Sequence, residues 1–262
     1  MTDDRTRVQR VPVEAPTCAP SGRTTAHIIE SGGVSLLVDP AARTDALDSA
    51  LDEHDPGHVA VTHHHPDHVG AVADYAAQAD LTVWARDGRV TAFEAATGVA
   101  PDHYFRPGDR FPGGIEVVDT PGHAPEHVAF VTGDTWLTGD LAVAAGSVVV
   151  GAPEGDMRAY LSSLRRVHAR NPDRLLPAHG PVIEDARATC ERLLEHRLDR
   201  ETRVLEAVRA GNRQPAAIAD AAYEKDISDV FALAEATVVA HLVKLAHEQQ
   251  IAWDGDQARP RE

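Results

Sequence analysis

The stretch Thr62-His63-His64-His65-Pro66-Asp67-His68 constrains this chain more than any other. Within six residues it sets four candidate metal ligands: His63, His65, Asp67 and His68. Three imidazoles and a carboxylate suit zinc, which takes neutral ring nitrogen and carboxylate oxygen. Ahead of them His58-Val59-Ala60-Val61 reads as a short buried strand. Behind them Val69 to Ala76 reads as the start of a helix. The ligands therefore sit on a strand-to-helix turn. His63 and His65, two apart, can point one way while Asp67 and His68 point another, so one turn can feed two metals. A histidine-rich surface loop or a single structural site is the plainer alternative. Three later segments that fit the same centre weigh against it.

The rest of the chain alternates strands and helices. Arg7 to Glu14 and Thr24 to Glu30 read as strands, Ser31-Gly32-Gly33 as a hairpin turn, and Val34 to Asp39 as the return strand. Asp39 is a turn residue in this reading, with a role as acceptor for a ligand histidine as the lesser alternative. Thr44 to Glu53 and Gly88 to Ala96 read as helices, and Leu81 to Ala85 as a strand. Ile115 to Asp119 is a strand. His127 to Thr132 and Thr135 to Thr138 form a hairpin around Gly133-Asp134. Met157, Tyr160, Leu161, Leu164 and Val167 mark an amphipathic helix with Asp156 as its N-cap. Arg174-Leu175-Leu176 is a further strand.

The pattern His63-x-His65-x-Asp67-His68 resembles the signature of the metallo-β-lactamase superfamily. Asp119-Thr120-Pro121-Gly122-His123, Leu137-Thr138-Gly139-Asp140 and Leu176-Pro177-Ala178-His179-Gly180 resemble its later motifs, in order, so that the likeness spans residues 10–190. It implies an α/β fold, the four-layer αββα sandwich, as a catalytic domain over residues 1–184. It also implies that His63, His65 and His123 hold one zinc, and that Asp67, His68 and His179 hold the other. Asp140 bridges the two, with a hydroxide between them. Asp67 and Asp140 carry the catalytic roles, and Mn²⁺ or Fe²⁺ are alternatives to the two Zn²⁺. The physics agrees: paired dications need an anionic bridge, and they make a shared water acidic enough to ionise at about pH 7. His127, beside Glu126, is expected to support the centre rather than ligate, and His64 to point away from its neighbours.

After His179 the pattern changes. A long helical stripe from Cys190 to Val208 stops at Gly211-Asn212. A short helix from Pro215 to Tyr223 and a third from Val230 to Leu245 follow, then a closing strand at Gln250 to Trp253. Three helices and a terminal strand resemble a winged helix, expected over residues 185–262, with a plain helical lid as the alternative. The resemblance extends to β-lactamase-like hydrolases related to the mitochondrial endoribonuclease branch.

Charge bears on that resemblance. Acidic residues number 41 against 25 basic ones, a net of −16, and only two of the 25, at 225 and 244, are lysine. Such a surface resembles that of halophilic proteins, though GC-rich codon usage would also favour arginine. Over residues 185–262 there are 15 acidic and 11 basic side chains. A nucleic-acid reader is normally basic, so this segment is expected to shape the substrate site, support the structure or dimerise.

Departures from known branches narrow the chemistry. Where two-zinc β-lactamases lack an aspartate or place a cysteine, this chain has Asp140, which argues against lactam hydrolysis. Only 38 residues separate Asp140 from His179, too few for the nuclease insertion, and the glutathione-binding basic residues of hydroxyacylglutathione hydrolase are not found. The expectation is therefore a dinuclear zinc hydrolase acting on a small-molecule thioester, ester or lactone, with single-strand-specific endoribonuclease as the alternative. Cys18 and Cys190 read as inert thiols. With neither an unbroken apolar span nor an apolar leader in Met1 to Arg5, a cytoplasmic location and no membrane partner are expected, with a homodimer possible.

Overall fold

The computed structural model describes residues 6–224 and 226–261; the charged opening at residues 1–5 lies outside them. Strands and helices fall into two compact units. One comprises residues up to 119, 126–146 and 172–186, and the other residues 120–125, 147–171 and those from 187 onward.

The first unit holds two sheets. The larger has the order β1 (Arg7–Glu14), β2 (Arg23–Ser31), β3 (Val34–Val38), β4 (His58–Ala60), β5 (Thr82–Arg86), β6 (His103–Phe105). Its first three strands run antiparallel and its last four parallel. The smaller has the order β10 (Arg174–Pro177), β9 (Thr135–Gly139), β8 (Val128–Thr132), β7 (Glu116–Asp119).

Alternation along the central strands builds the layers. Ala26, Ile28, Leu37 and Val59 face a core shared with α1 (Asp45–His54), α3 (Val72–Ala79) and α4 (Val90–Thr97). Their neighbours Ile29, Leu36, Val38 and Ala60 face the other way, onto Val117, Val128, Phe130, Leu137 and Leu176 of the smaller sheet. Both faces of the large sheet are thus apolar, which is why its strands read as nearly continuous hydrophobic runs.

Most strands and helices start and stop where the sequence places them. Thr44 caps α1 by accepting from Leu47 N–H, and Asp156 caps α5 (Met157–Arg170) by accepting from Arg158 and Ala159 N–H. The helix read over Val69 to Ala76 is two helices, α2 (Pro66–Val69) and α3. The break is at Gly70, where a side chain would meet the Ala41 carbonyl.

The second unit contains α5, α6 (Ala186–Arg209), α7 (Pro215–Ala222), α8 (Phe231–His247) and a hairpin of β11 (Ile251–Trp253) with β12 (Ala258–Pro260). Val204, Val208, Ile218, Val238, Leu242, Leu245, Ile251 and Ala258 form its core. Ser228–His247 is long and apolar enough, by length and composition alone, to cross a membrane. A search for an unbroken apolar run passes over it because Asp229, Glu235 and Lys244 interrupt the stretch. Val238, Leu242 and Leu245 are fully buried within the unit, and Lys244 pairs with Glu201, as in a core helix.

Candidate metal centre

The ligand motifs of the first unit lie just beyond the C-terminal ends of strands. Asp39 follows β3, Thr62 to His68 follow β4, Asp140 follows β9, and His179 lies two residues beyond β10. Parallel pairing of β3 with β4 and of β9 with β10 puts these ends at corresponding edges of their sheets.

Two convergent groups result. Donor atoms of His63, His68 and Asp140 lie within 4.8 Å of one another, as do those of Asp67, His68 and His179. His68 and Asp140 are buried, with His68 Nε2 3.6 Å from Asp140 Oδ1. His179 Nε2 lies 3.3 Å from the same oxygen and 3.6 Å from Asp67 Oδ2. His63 Nε2 and His65 Nδ1 face each other at 3.0 Å.

Hydrogen bonds fix which nitrogen each ring offers. Asp39 accepts from Thr62 N–H (2.7 Å), from the Thr62 hydroxyl (2.8 Å) and from His68 Nδ1 (3.0 Å). The Thr62 hydroxyl, having given its proton to Asp39, accepts from His63 Nδ1 at 3.1 Å. His179 Nδ1 donates to the Arg23 carbonyl at 2.9 Å. In the second unit His123 Nδ1 donates to the Val149 carbonyl at 2.6 Å. In all four rings Nδ1 is thus taken up by an outer partner and Nε2 is left as the atom available to a metal, the arrangement by which outer partners orient metal-binding histidines.

Electrostatics supports a cationic occupant. Burial alone would lower the His68 pKa, yet the carboxylates of Asp39, Asp140 and Asp67 outweigh it and push the ring up to about 9. His179 is likewise raised: burial opposes protonation, and the bond to Asp140 overcomes it. His68 Nε2, although buried, makes no hydrogen bond. A divalent ion would meet that demand for positive charge and occupy the inward nitrogens, so the residues fit a metal.

Asp39 and Glu126 were undervalued or missed by sequence reasoning, whereas His127 was read there as a supporting residue. Asp39 is an acceptor for His68 as well as a turn residue. His127, buried, accepts the Asp140 N–H on Nε2 at 3.0 Å. Glu126, also buried, accepts His64 N–H at 3.1 Å, and the His64 ring packs against Phe93, away from its neighbours. The available signals were a polar pair, Glu126-His127, abutting a wholly buried strand, and an aspartate closing an apolar one. Cys18 and Cys190 are free thiols, and burial pushes Cys190 up to about 12.

The sequence profile of the Metallo-beta-lactamase superfamily matches residues 20–179, and the chain belongs to that superfamily as a metal-dependent hydrolase. It is 27% identical to a beta-lactamase-like protein 2 homolog of Drosophila melanogaster, over 89% of this chain and 87% of that one. It is also 27% identical to an atrochrysone carboxyl ACP thioesterase of Aspergillus chevalieri, over 88% and 78%. The chain spans 66% of the length of a lactamase-like protein of Penicillium aethiopicum, with 29% identity over 77% of this chain. Among solved structures, a metallo-beta-lactamase family protein from Thermus thermophilus has the same fold: TM-score 0.77, 22% identity, 97% of this chain and 98% of that one. A protein solved in a di-iron-bound form matches 71% of this chain and 97% of its own length, at TM-score 0.57 and 30% identity.

Proposed function

We infer that this protein hydrolyses a small-molecule thioester, ester or lactone at a two-metal centre. His63, His65 and His123 would hold one ion and Asp67, His68 and His179 the other, with Asp140 shared. The observation that carries the reading is Asp140 Oδ1, a buried carboxylate oxygen facing Nε2 of both His68 and His179. Imidazole and carboxylate donors suit zinc, and the di-iron neighbour makes iron the first alternative. Bound there, the ions would supply a water ionised near neutral pH and a Lewis acid for a developing oxyanion. The protein's own part is to hold each ligand ring in one tautomer, through Asp39, Thr62, Arg23 and Val149, and to fix the Asp140 backbone through His127. The acyl-thioester activity named for the fungal relative supports an acyl substrate.

The helical unit gives the second reading some support. Its α8 and β11–β12 hairpin follow the order of a winged helix, a module associated with nucleic acid. Its charge opposes that reading, and so do its arginines. Arg197 and Arg200 donate to the carbonyls of Val148 and Ala222, and Arg203 pairs with Glu224 at 3.3 Å. Arg197 and Arg200 are thus bound within the fold, while Arg203–Glu224 and Arg187–Glu191 are exposed ion pairs. The test is a panel assay of zinc- and iron-loaded protein on acyl-CoA thioesters, S-lactoylglutathione, lactones, bis-p-nitrophenyl phosphate and short RNA. Turnover of an acyl substrate is expected. Cleavage of RNA with no acyl turnover would replace this reading with the endoribonuclease one.

A further inference from the structure

A buried arginine in the second unit is not explained by the ligand set. Arg197 of α6 is only 4% exposed, and among the described residues no carboxylate lies within ion-pair distance of it. Its guanidinium donates to the Val148 carbonyl and lies over the Tyr160 ring, 5.4 Å from the centroid. Nε makes no hydrogen bond. A buried charge without a counter-ion is costly, and an apolar residue of similar size would pack there more cheaply.

What Arg197 touches accounts for it. Val148 and Val149 are consecutive, and the Val149 carbonyl accepts the Nδ1 proton of His123. Only the two soft torsions of Val149 separate the two carbonyls, so fixing one restricts the other. The far side of the His123 loop is clamped to α5. Asp156 N–H donates to the Gly122 carbonyl at 2.8 Å, and the Ser163 hydroxyl donates to the Pro121 carbonyl at 2.8 Å. Gly122 has φ of +137°, and a Cβ there would come within 2.3 Å of the Tyr160 backbone. The same Tyr160 carries the ring under Arg197. Beyond Val149, Ala152 N–H donates to Ala236 of α8 at 3.0 Å. Thus α5 sets the backbone of His123, while Arg197 sets the acceptor that turns its ring.

We propose that Arg197 is a positioning residue for His123: by pinning the Val148–Val149 segment it fixes the tautomer and orientation that present Nε2 to a metal. This rests on His123 being a ligand, as proposed above. An outer partner of a metal-binding histidine is worth about 10- to 100-fold in metal affinity, and Arg197, one step further out, is expected near the lower end.

The test measures zinc affinity by chelator competition in the wild type, R197M, R197K, H123A and the H123A/R197M double variant, together with the NMR signal of the His123 Nδ1 proton. R197M is expected to weaken one of two sites by about tenfold and to expose the Nδ1 proton to rapid exchange, with R197K recovering part of both. On the H123A background R197M should add nothing, since it acts only through that ring. The proposal is overturned if R197M matches wild type while H123A does not, or if R197M costs as much again without His123. If H123A leaves zinc binding unchanged, the ligand reading falls instead. The Nδ1 signal then decides alone, and its survival in R197M overturns the proposal. Should R197M not fold, R197K against wild type gives the same two readouts, and identity in both overturns it.

Discussion

His68 shows how the centre is tuned residue by residue. Its ring is buried, and burial disfavours charge, but three carboxylates hold its pKa at about 9 in the metal-free protein. A folded-state pKa above the unfolded value of about 6.5 stabilises the fold fully below pH 6.5, and that contribution fades as pH rises through 9. The metal-free protein should therefore lose thermal stability between pH 6.5 and 9. Metal must displace the same proton, so affinity should rise over the same window. Calorimetry at pH 7.5 in buffers of different ionisation enthalpy is expected to show proton release on zinc binding; no release would show that His68 is already neutral. At Asp140 the charge itself matters. Asp140→Asn should lower turnover by more than about 100-fold, since ligand loss exceeds the 10- to 100-fold cost of losing outer-shell partners, and wild-type turnover would remove Asp140 from the shared position. Five of the seven proposed ligands reach these two groupings in the first unit, and the motif spacing announced each of them. Asp39 is 29 residues from the ring it supports. A pairing made by parallel strands leaves no local periodicity to read.

At the scale of elements, the strands and helices legible in sequence are those whose apolar pattern has one dominant face or two. β1 and α5 are examples, the latter with Asp156 at its start. The elements not foreseen have little such pattern. β6 is three residues long with two of them exposed, and it is held by parallel pairing to β5. β12 contains Pro260 and exposes two of its three residues. Neither could be separated from loop by composition. The smaller sheet packs onto the larger through Phe130, fully buried between them. Phe130→Ala should cost about 3–5 kcal/mol in urea unfolding of the metal-free protein; a cost near zero would mean that the inter-sheet core is not the one described. Gly139 ends β9 at φ of +47°, and a Cβ there would lie 2.6 Å from Thr62 Oγ1 and 2.8 Å from His127 Nε2. Gly139→Ala should destabilise by more than about 1 kcal/mol and displace Asp140, so metal content should fall with stability. Full metal occupancy in that variant would contradict the close packing behind the bridge.

For the whole chain, the sequence motifs specify the hydrolytic superfamily far more tightly than the substrate, because substrate contacts come from residues that no metal requires. Net charge of −16 bears on that gap from outside the centre. Phosphate-backbone affinity comes from released counterions matched by lysine and arginine, and of the α6 arginines Arg197 and Arg200 are already bonded to carbonyls of the fold while Arg187 and Arg203 are paired with glutamates. Fluorescent single-stranded RNA is therefore expected to bind no tighter than micromolar at moderate salt. Submicromolar binding lost on neutralising Arg200 and Arg203 would favour the nuclease reading. The proposed two-metal centre is built from His63, His65, Asp67, His68, His123, Asp140 and His179. Its most direct test is the metal content of purified protein at equilibrium with zinc, before and after Asp140→Asn. Two ions per wild-type chain and a weakened second site in the variant are expected. A single ion or none in the wild type, or two tightly held ions in the variant, would contradict it.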